Sequence, residues 1–245
     1  MRPVLFCWRN VTVRSYPAML YLGLVFGVVA GNIAAHVAGI HPLRAYIATL
    51  LLIVPALAGA RLLFVATHWD VYRHNLRRIR NRREGGLSMY GGLLLALLVS
   101  VPLLRIAKLN FGAFWDVASF TILVGMIFAR VGCLLNGCCS GRRVRGRFGV
   151  LLPDASGVWE RRLPSQMLEA LVAGLLLAGA SVVWRLLPFP GALFLLMTLA
   201  YSGARFAMEF ARERPAGSSR LRESHAISAV SFISCVCLLM LYWRQ

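Results

Sequence analysis

The chain has 245 residues, of which 59% are hydrophobic, and a formal net charge of +18. A soluble domain is about 45–50% apolar, so this composition excludes a soluble fold, which would have to expose large apolar patches. Charged residues make up 15% of the chain and are clustered between long apolar stretches. These features predict an integral membrane protein.

Seven apolar stretches follow one another along the chain. They lie at about 17–38, 45–67, 87–104, 112–129, 166–184, 189–208 and 226–243. Each is close to the roughly 20 residues that a helix needs to cross the hydrocarbon core. The short alternating pattern of barrel strands is absent from the sequence, which leaves helices as the spanning form. We therefore predict an all-α integral membrane fold of about seven transmembrane helices in one bundle, with residues 1–245 forming a single polytopic domain.

Most of the lysines and arginines fall in alternate connections between these stretches and so on one membrane face. Two interpretations stay open. The positive-inside rule would make this basic face cytoplasmic, whereas a binding role would use the arginines to hold anionic lipid headgroups. Nucleic-acid binding is not expected, because the basic residues are confined to short loops between spans.

Two glycine-containing motifs lie at the ends of predicted spans. Residues 85–92 read GGLSMYGG and open the third stretch, where small residues favour close helix packing and Tyr90 is the candidate for a functional role. Residues 129–142 read ARVGCLLNGCCSGR and follow the fourth stretch. An arginine at membrane depth is costly unless it is paired, which makes Arg130 a candidate site residue.

Two further motifs place a carboxylate one helical turn after a polar residue. Ser165 and Glu169 share a helix face, although Ser165 would also serve as an N-cap with Glu169 in the early helix. Arg205 and Glu209 are spaced to pair on one helix. The alternative to a functional pair is an ion pair that lets two charges lie at membrane depth.

Three cysteines flank the predicted turn after the fourth stretch: Cys133, Cys138 and Cys139. This C-x4-C-C pattern has no nearby histidine and is incomplete as a zinc site, so we expect no metal. A redox pair, a nucleophilic thiol and simple packing at the turn stay open. Arg130 and Arg142 are near the cysteines in sequence, and a neighbouring positive charge lowers the pKa of a thiol. Cys138 is therefore the candidate for a reactive thiol.

Taken in this order, the motifs resemble the prolipoprotein diacylglyceryl transferase family. The family signature, approximately G-R-x-G-N-F-x-N-G-E-x-x-G-R, is matched by Arg130, Gly132, Asn136, Gly137, Gly141 and Arg142. Its H-P-S-Q-x-x-E segment is matched by Pro164, Ser165, Gln166 and Glu169. Its R-F-x-x-E-F-x-R helix is matched by Arg205, Phe206, Glu209, Phe210 and Arg212, and its early R-S/W-Y-G element by Arg14, Ser15 and Tyr16.

The resemblance is incomplete at four positions. The family has histidine, asparagine, glutamate and histidine where this chain has, respectively, Tyr90, Cys133, Cys138 and Leu163. A tyrosine with a pKa near 10 is a poor base at neutral pH, and a thiol acceptor benefits from a base. The residues that would act on the acceptor thiol are therefore altered in this chain, whereas the arginines that would bind the lipid donor are present.

The resemblance implies a membrane transferase that needs no cofactor. It would move the diacylglyceryl group of phosphatidylglycerol to the lipobox cysteine of a preprolipoprotein and release glycerol phosphate. Its expected partners are phosphatidylglycerol or another anionic phospholipid and the preprolipoprotein, and its expected location is the bacterial cytoplasmic (inner) membrane. Two alternatives are an altered homologue that binds anionic phospholipid or uses another acceptor, and a membrane thiol protein that uses the three cysteines.

The implied site residues fall into two groups. Those expected to be catalytic are Arg130, Arg205, Glu209, Tyr90 and Cys138. Those expected to bind substrate are Tyr16, Cys133, Asn136, Gly141, Arg142, Ser165, Gln166, Glu169 and Arg212. The arginines are expected to hold the phosphate, because guanidinium groups bind phosphate bidentately.

Overall fold

The structure, a computed structural model, describes residues 4–8, 11–73, 76, 79, 88–146, 149–153, 158–210 and 220–243. Its first elements are β1 (Val4–Trp8), β2 (Val11–Arg14), α1 (Ser15–Val37), α2 (Pro42–Thr67), α3 (Trp69–Tyr72) and α4 (Met89–Ile106). They are followed by α5 (Phe111–Asn136), β3 (Val150–Pro153), β4 (Trp159–Arg162), α6 (Ser165–Val183), α7 (Ala192–Glu209) and α8 (Arg220–Trp243).

Five of the described helices are long and apolar enough to cross a membrane. They are α1, α2, α4, α5, and α6 together with the short helix that follows it to Leu186. The predicted stretch 189–208 corresponds to α7, and 226–243 falls on α8, whose apolar part is Ser228–Cys237. The prediction of long apolar helices able to span a membrane is confirmed for five helices, and the total of seven spans stays a prediction.

The fold is mostly helical, but it also contains two antiparallel two-stranded hairpins, which the all-α prediction missed. One pairs β1 with β2 immediately before α1, and the other pairs β3 with β4 shortly before α6. Each strand has four or five residues. Such short strands in strongly basic connections give too few alternating positions for a sequence pattern to reveal them.

The chain divides into two compact units. In unit 2, which is Ala35–Phe114, α2 packs along α4. A Cβ atom on Gly91 would lie 2.4 Å from the carbonyl oxygen of Gly59, so these two backbones touch. The interpretation of the glycine-rich motif as a helix-packing element is therefore confirmed at Gly91.

Unit 1 comprises Met1–Ala34 and Trp115–Gln245. Within it, α1 and α5 approach closely, because a Cβ atom on Gly27 would lie 2.7 Å from the carbonyl oxygen of Thr121. Helix α7 packs against both α6 and α8. Helices α5, α6 and α7 of this unit carry most of the residues that the sequence singles out.

A buried aspartate on α5 holds the beginning of α7. Asp116, 5% exposed, accepts hydrogen bonds from the backbone N–H groups of Gly191 at 2.7 Å and Phe194 at 3.0 Å. The first N–H groups of a helix have no partner within it, and negative charge is favourable there. Gly191 has no side chain with which to cap α7, so Asp116 takes that role from another helix and fixes the position of α7.

Replacing Asp116 with alanine should destabilise the protein. Each lost hydrogen bond to a charged group is worth about 1.5–3 kcal/mol, and the freed N–H groups of α7 would stay buried. Thermal or denaturant unfolding of the purified chain in detergent micelles measures the change. Ser119→Ala is the matched control on α5, because the Ser119 hydroxyl donates to Trp115 of its own helix at 3.0 Å; equal losses for both variants would contradict the capping role.

Candidate functional site

Four charged side chains from three helices of unit 1 form a continuous ion-pair network. Glu169 of α6 pairs with Arg130 of α5 through Nη2 at 2.5 Å and with Arg205 of α7 through Nη1 at 3.3 Å. Arg205 also pairs with Glu209 at 3.0 Å. The Glu169 side chain is 2% exposed, against 20% for Arg130. Burial on this scale is tolerated because each charge has an opposite charge beside it.

Helix α7 presents the network through residues spaced by four. Tyr201, Arg205 and Glu209 lie one turn apart on one helix face. The Tyr201 side chain is buried and interacts electrostatically with Arg130. Sequence reasoning found the Arg205–Glu209 pair, which is confirmed, but missed Tyr201, although the repeated spacing of four was a usable signal.

The residue that caps the beginning of α6 is not the one that the sequence suggested. The cap position is Pro164, and α6 begins at Ser165. The Ser165 hydroxyl donates to the backbone carbonyl of Cys139 at 2.7 Å, and Glu169 pairs with the two arginines. Interpreting Ser165 as an N-cap is therefore wrong, because tertiary partners engage both polar side chains.

Helix α5 ends in a turn that brings thiols together. The N–H of Gly137 donates to the carbonyl of Leu134 at 3.2 Å, and the N–H of Cys138 donates to that of Cys133 at 3.1 Å. Gly137 has a φ of 72°. These two bonds and the left-handed glycine define a Schellman motif, which places the residue after the glycine against the residue five positions earlier. Cys138 therefore lies against Cys133.

The third thiol joins the same cluster. Cys139 has a φ of 65°, a left-handed conformation that is uncommon for a residue with a side chain. The sulfur atoms of Cys133, Cys138 and Cys139 all lie within 4.8 Å of one another. Cys133 is buried, Cys138 is partly buried and Cys139 is exposed, so the cluster extends from the protein interior to the surface. We call these three residues the thiol cluster.

Helix α6 locks the turn that carries the thiol cluster. Gln166 Nε2 donates to the carbonyl of Cys138 at 2.6 Å, which complements the Ser165 bond to Cys139. Gly141 donates its N–H to the carbonyl of Leu163 at 2.9 Å. The described bonds of Ser165, Gln166 and Gly141 thus hold the turn, and their predicted contacts with substrate stay predictions.

The pKa of the Cys138 thiol is raised above its usual value. A hydrogen bond with Cys133 lowers this pKa, but the hydrogen bond with Cys139, burial and the charge of Cys139 together outweigh that effect. Asn136 also hydrogen-bonds Cys138 and lowers its pKa. The expectation that Arg130 and Arg142 lower this pKa is wrong, because Cys139 and burial together raise it.

The remaining candidates lie in different places. Tyr16, the second residue of α1, lies beside Gly132, where a Cβ atom would lie 3.4 Å from the tyrosine ring. It interacts electrostatically with Arg130 and the thiol cluster. Arg142 is exposed after the turn. Tyr90 belongs to unit 2, at the beginning of α4. Arg212 lies outside the described residues.

Comparison with known proteins points to one family. The sequence model of a family described as prolipoprotein diacylglyceryl transferase matches residues 3–242. A phosphatidylglycerol–prolipoprotein diacylglyceryl transferase of Bacillus mycoides is 31% identical over 211 residues, which cover 80% of this chain and 76% of the relative.

Two clostridial relatives with the same enzyme name match a shorter part. The Clostridium kluyveri protein is 30% identical over 142 residues, covering 58% of this chain and 55% of the relative. The Clostridium botulinum protein is 31% identical over 151 residues, covering 60% of this chain and 58% of the relative. The chain thus matches less than two thirds of the length of these two relatives.

Replacing Glu169 with glutamine should destabilise the fold strongly. Removing one partner of a buried pair costs about 3–5 kcal/mol, and here two arginines lose their shared carboxylate. Unfolding in detergent micelles measures the loss. Asp70→Asn is the matched control, because Asp70 pairs with Arg73 at 3.8 Å while its side chain is 90% exposed, and such pairs contribute about 0–1 kcal/mol. Similar losses for the two variants would contradict the buried network.

Proposed function

Because the chain belongs to the prolipoprotein diacylglyceryl transferase family, we propose that it transfers the diacylglyceryl group of phosphatidylglycerol to the lipobox cysteine of a preprolipoprotein. Glycerol phosphate is the second product. The observation that carries this proposal is the buried network of Arg130, Glu169, Arg205 and Glu209. It supplies fixed guanidinium groups at the end of membrane-spanning helices, where a lipid headgroup lies.

Arg130 and Arg205 hold the phosphate of the donor lipid. A guanidinium has five N–H donors in a rigid fork, so an arginine that pairs with a carboxylate retains donors for a second anion. Arg130 is the entry point, since its side chain is 20% exposed whereas that of Glu169 is 2% exposed. An approaching phosphate therefore meets the guanidinium before the carboxylate.

The network stabilises the transition state because its guanidinium donors are fixed in place, although its two arginines and two glutamates carry no net charge. As the carbon–oxygen bond to the phosphate breaks, negative charge grows on the leaving glycerol phosphate. Donors already fixed in a water-poor site stabilise such charge without reorganising, which is usually the largest catalytic contribution. Glu169 holds the two arginines in place, and Glu209 orients Arg205.

The other candidates assist binding and the acceptor. We assign supporting contacts with the substrate to Tyr16, Cys133, Asn136, Gly141, Arg142, Ser165, Gln166, Glu169 and Arg212. Tyr90 and Cys138 are assigned to the acceptor side, where this chain departs from the family pattern. We assign no nucleic acid partner to the transfer.

A second candidate function is an altered homologue that binds anionic phospholipid or uses another acceptor. The histidines whose side chains are described are His36, His41 and His68, and all belong to unit 2. In the described part of unit 1, no imidazole lies beside the network to deprotonate an acceptor thiol. The sequence supports the same alternative, because this chain has Tyr90 and Leu163 where the family pattern has histidines.

We propose the bacterial cytoplasmic (inner) membrane as the location, with about seven spans in one domain and the N-terminus outside. An odd number of spans then places the C-terminus in the cytoplasm. A reporter enzyme or fluorescent protein fused after Gln245 should therefore be active inside the cell. Activity on the external side would contradict this orientation and would favour the positive-inside interpretation of the basic face.

Arg130→Ala should abolish most of the release of glycerol phosphate from radiolabelled phosphatidylglycerol. Loss of one preorganised donor of this kind costs about 10²–10³-fold in rate. Arg185→Ala is the matched control: Arg185 is exposed and follows Glu169 by 16 positions, about 24 Å along a helix axis. Unchanged release in the Arg130 variant, with the control also active, would refute the proposed role of the network.

A further inference from the structure

The proposed transfer needs an acceptor thiolate, and the described residues of unit 1 offer no obvious base to make it. A free cysteine has a pKa of about 8.5, so most acceptor thiols are protonated at neutral pH. Glu169 and Glu209 are committed to arginines. Coordination to a metal ion is one established way to produce the thiolate.

The thiol cluster has the composition of a soft-metal site. Three sulfur atoms within 4.8 Å of one another come close to the spacing of about 3.8 Å that Zn–S bonds of 2.3 Å impose in a tetrahedral site. Small side-chain rotations would close that difference. Thiolate ligands select zinc and monovalent copper over hard cations such as magnesium and calcium.

The backbone is built to make the three sulfur atoms converge. The Schellman motif at Gly137 brings Cys138 to Cys133. Cys139 occupies a left-handed conformation. Such a conformation costs free energy and persists only where the surrounding structure holds the residue in it. Ser165 and Gln166 are each 1% exposed and fix the carbonyls of this segment. A disulfide would use two of the sulfurs and would not account for the third.

We propose that Cys133, Cys138 and Cys139 bind one Zn²⁺ ion and that the open fourth position of this ion takes the acceptor cysteine. This inference rests on the proposed transferase function. Zinc prefers four ligands, and catalytic zinc sites combine three protein ligands with one exchangeable position. Exposed Cys139 gives the acceptor access to the ion. Three thiolates and Zn²⁺ leave one negative charge, which Arg130 offsets through its electrostatic interaction with Cys133.

The zinc ion activates the acceptor by coordination. A thiol that binds a metal gives up its proton, which is released to water, and metal coordination is an established way to activate a nucleophile. The acceptor sulfur then attacks the glycerol carbon that bears the phosphate. One carbon–sulfur bond forms, one carbon–oxygen bond breaks, and the electron pair leaves with the glycerol phosphate. The products are the thioether and glycerol phosphate, and the zinc ion stays on the enzyme.

The position of the thiol cluster suits this step. Cys133 follows Arg130 by three residues on α5, about 4.5 Å along the helix axis. The zinc ligand Cys133 and the phosphate-binding Arg130 thus belong to neighbouring turns of α5, which would hold the activated acceptor sulfur close to the phosphate. Attacking and leaving atoms of a single displacement need that proximity.

The metal content of the 245-residue chain tests the site first. The chain is purified in detergent under reducing, anaerobic conditions, incubated with excess Zn²⁺, desalted and analysed by mass spectrometry for bound metal. We expect about one zinc per chain, and replacement by Co²⁺ should give sulfur-to-cobalt charge-transfer absorption. Cys138→Ser and Cys133→Ser should lose this zinc. The matched control is Cys237→Ser, which removes an exposed cysteine on α8 and should retain it.

Outcomes of this first test are decisive in both directions. Wild-type protein that holds no zinc, or that yields a Cys133–Cys138 disulfide under these conditions, would overturn the proposal. Because the wild-type metal content and cobalt spectrum need no substitution, they test the site even if a variant misfolds.

Turnover tests the role of the ion. Zinc is removed with a chelator, and glycerol phosphate release is measured with phosphatidylglycerol vesicles and a lipobox peptide. We expect the rate of glycerol phosphate release to fall at least tenfold and to recover when Zn²⁺ is added. Binding of labelled phosphatidylglycerol should be unchanged. Full turnover without zinc would refute the activating role. Stoichiometric zinc without turnover on this peptide would instead refute the proposed transferase function and leave the metal site intact.

Discussion

The burial of arginine charge at the ends of α5 and α7 is the constraint on which unit 1 depends. Arg130 and Arg205 are tolerable there because Glu169 pairs with both, and an unpaired charge at this depth would cost several kcal/mol. This requirement ties α5, α6 and α7 together at one end. Asp116 supports the arrangement by holding the beginning of α7, the helix that carries Arg205.

Helices α5 and α6 contribute to both chemical features of the site, which are the ion-pair network and the thiol cluster. The end of α5 supplies Arg130 and the turn with the thiol cluster, and the beginning of α6 supplies Glu169 and the hydrogen bonds that lock this turn. A lipid phosphate and an acceptor sulfur would therefore be held by one rigid junction. Sites on such elements keep their geometry better than sites on separate loops.

Sequence alone predicted the features that are periodic or local. Long apolar stretches indicated the spanning helices, and the spacing of Arg205 and Glu209 indicated their pair. What it missed depends on which helices become neighbours: Glu169 as the shared partner of two arginines, and Asp116 as the cap of another helix. The hairpins were too short to give a pattern. Convergence of Cys133 and Cys138 follows from Gly137 as a helix-ending residue, but it requires knowing that α5 ends there.

An experimental structure in lipid nanodiscs containing phosphatidylglycerol tests the central claim most directly. The account predicts a lipid phosphate within about 2.7–2.9 Å of guanidinium nitrogens of Arg130 and Arg205, with the carboxylate of Glu169 still between the two arginines. A phosphate bound elsewhere, with these arginines contacting protein groups alone, would contradict it.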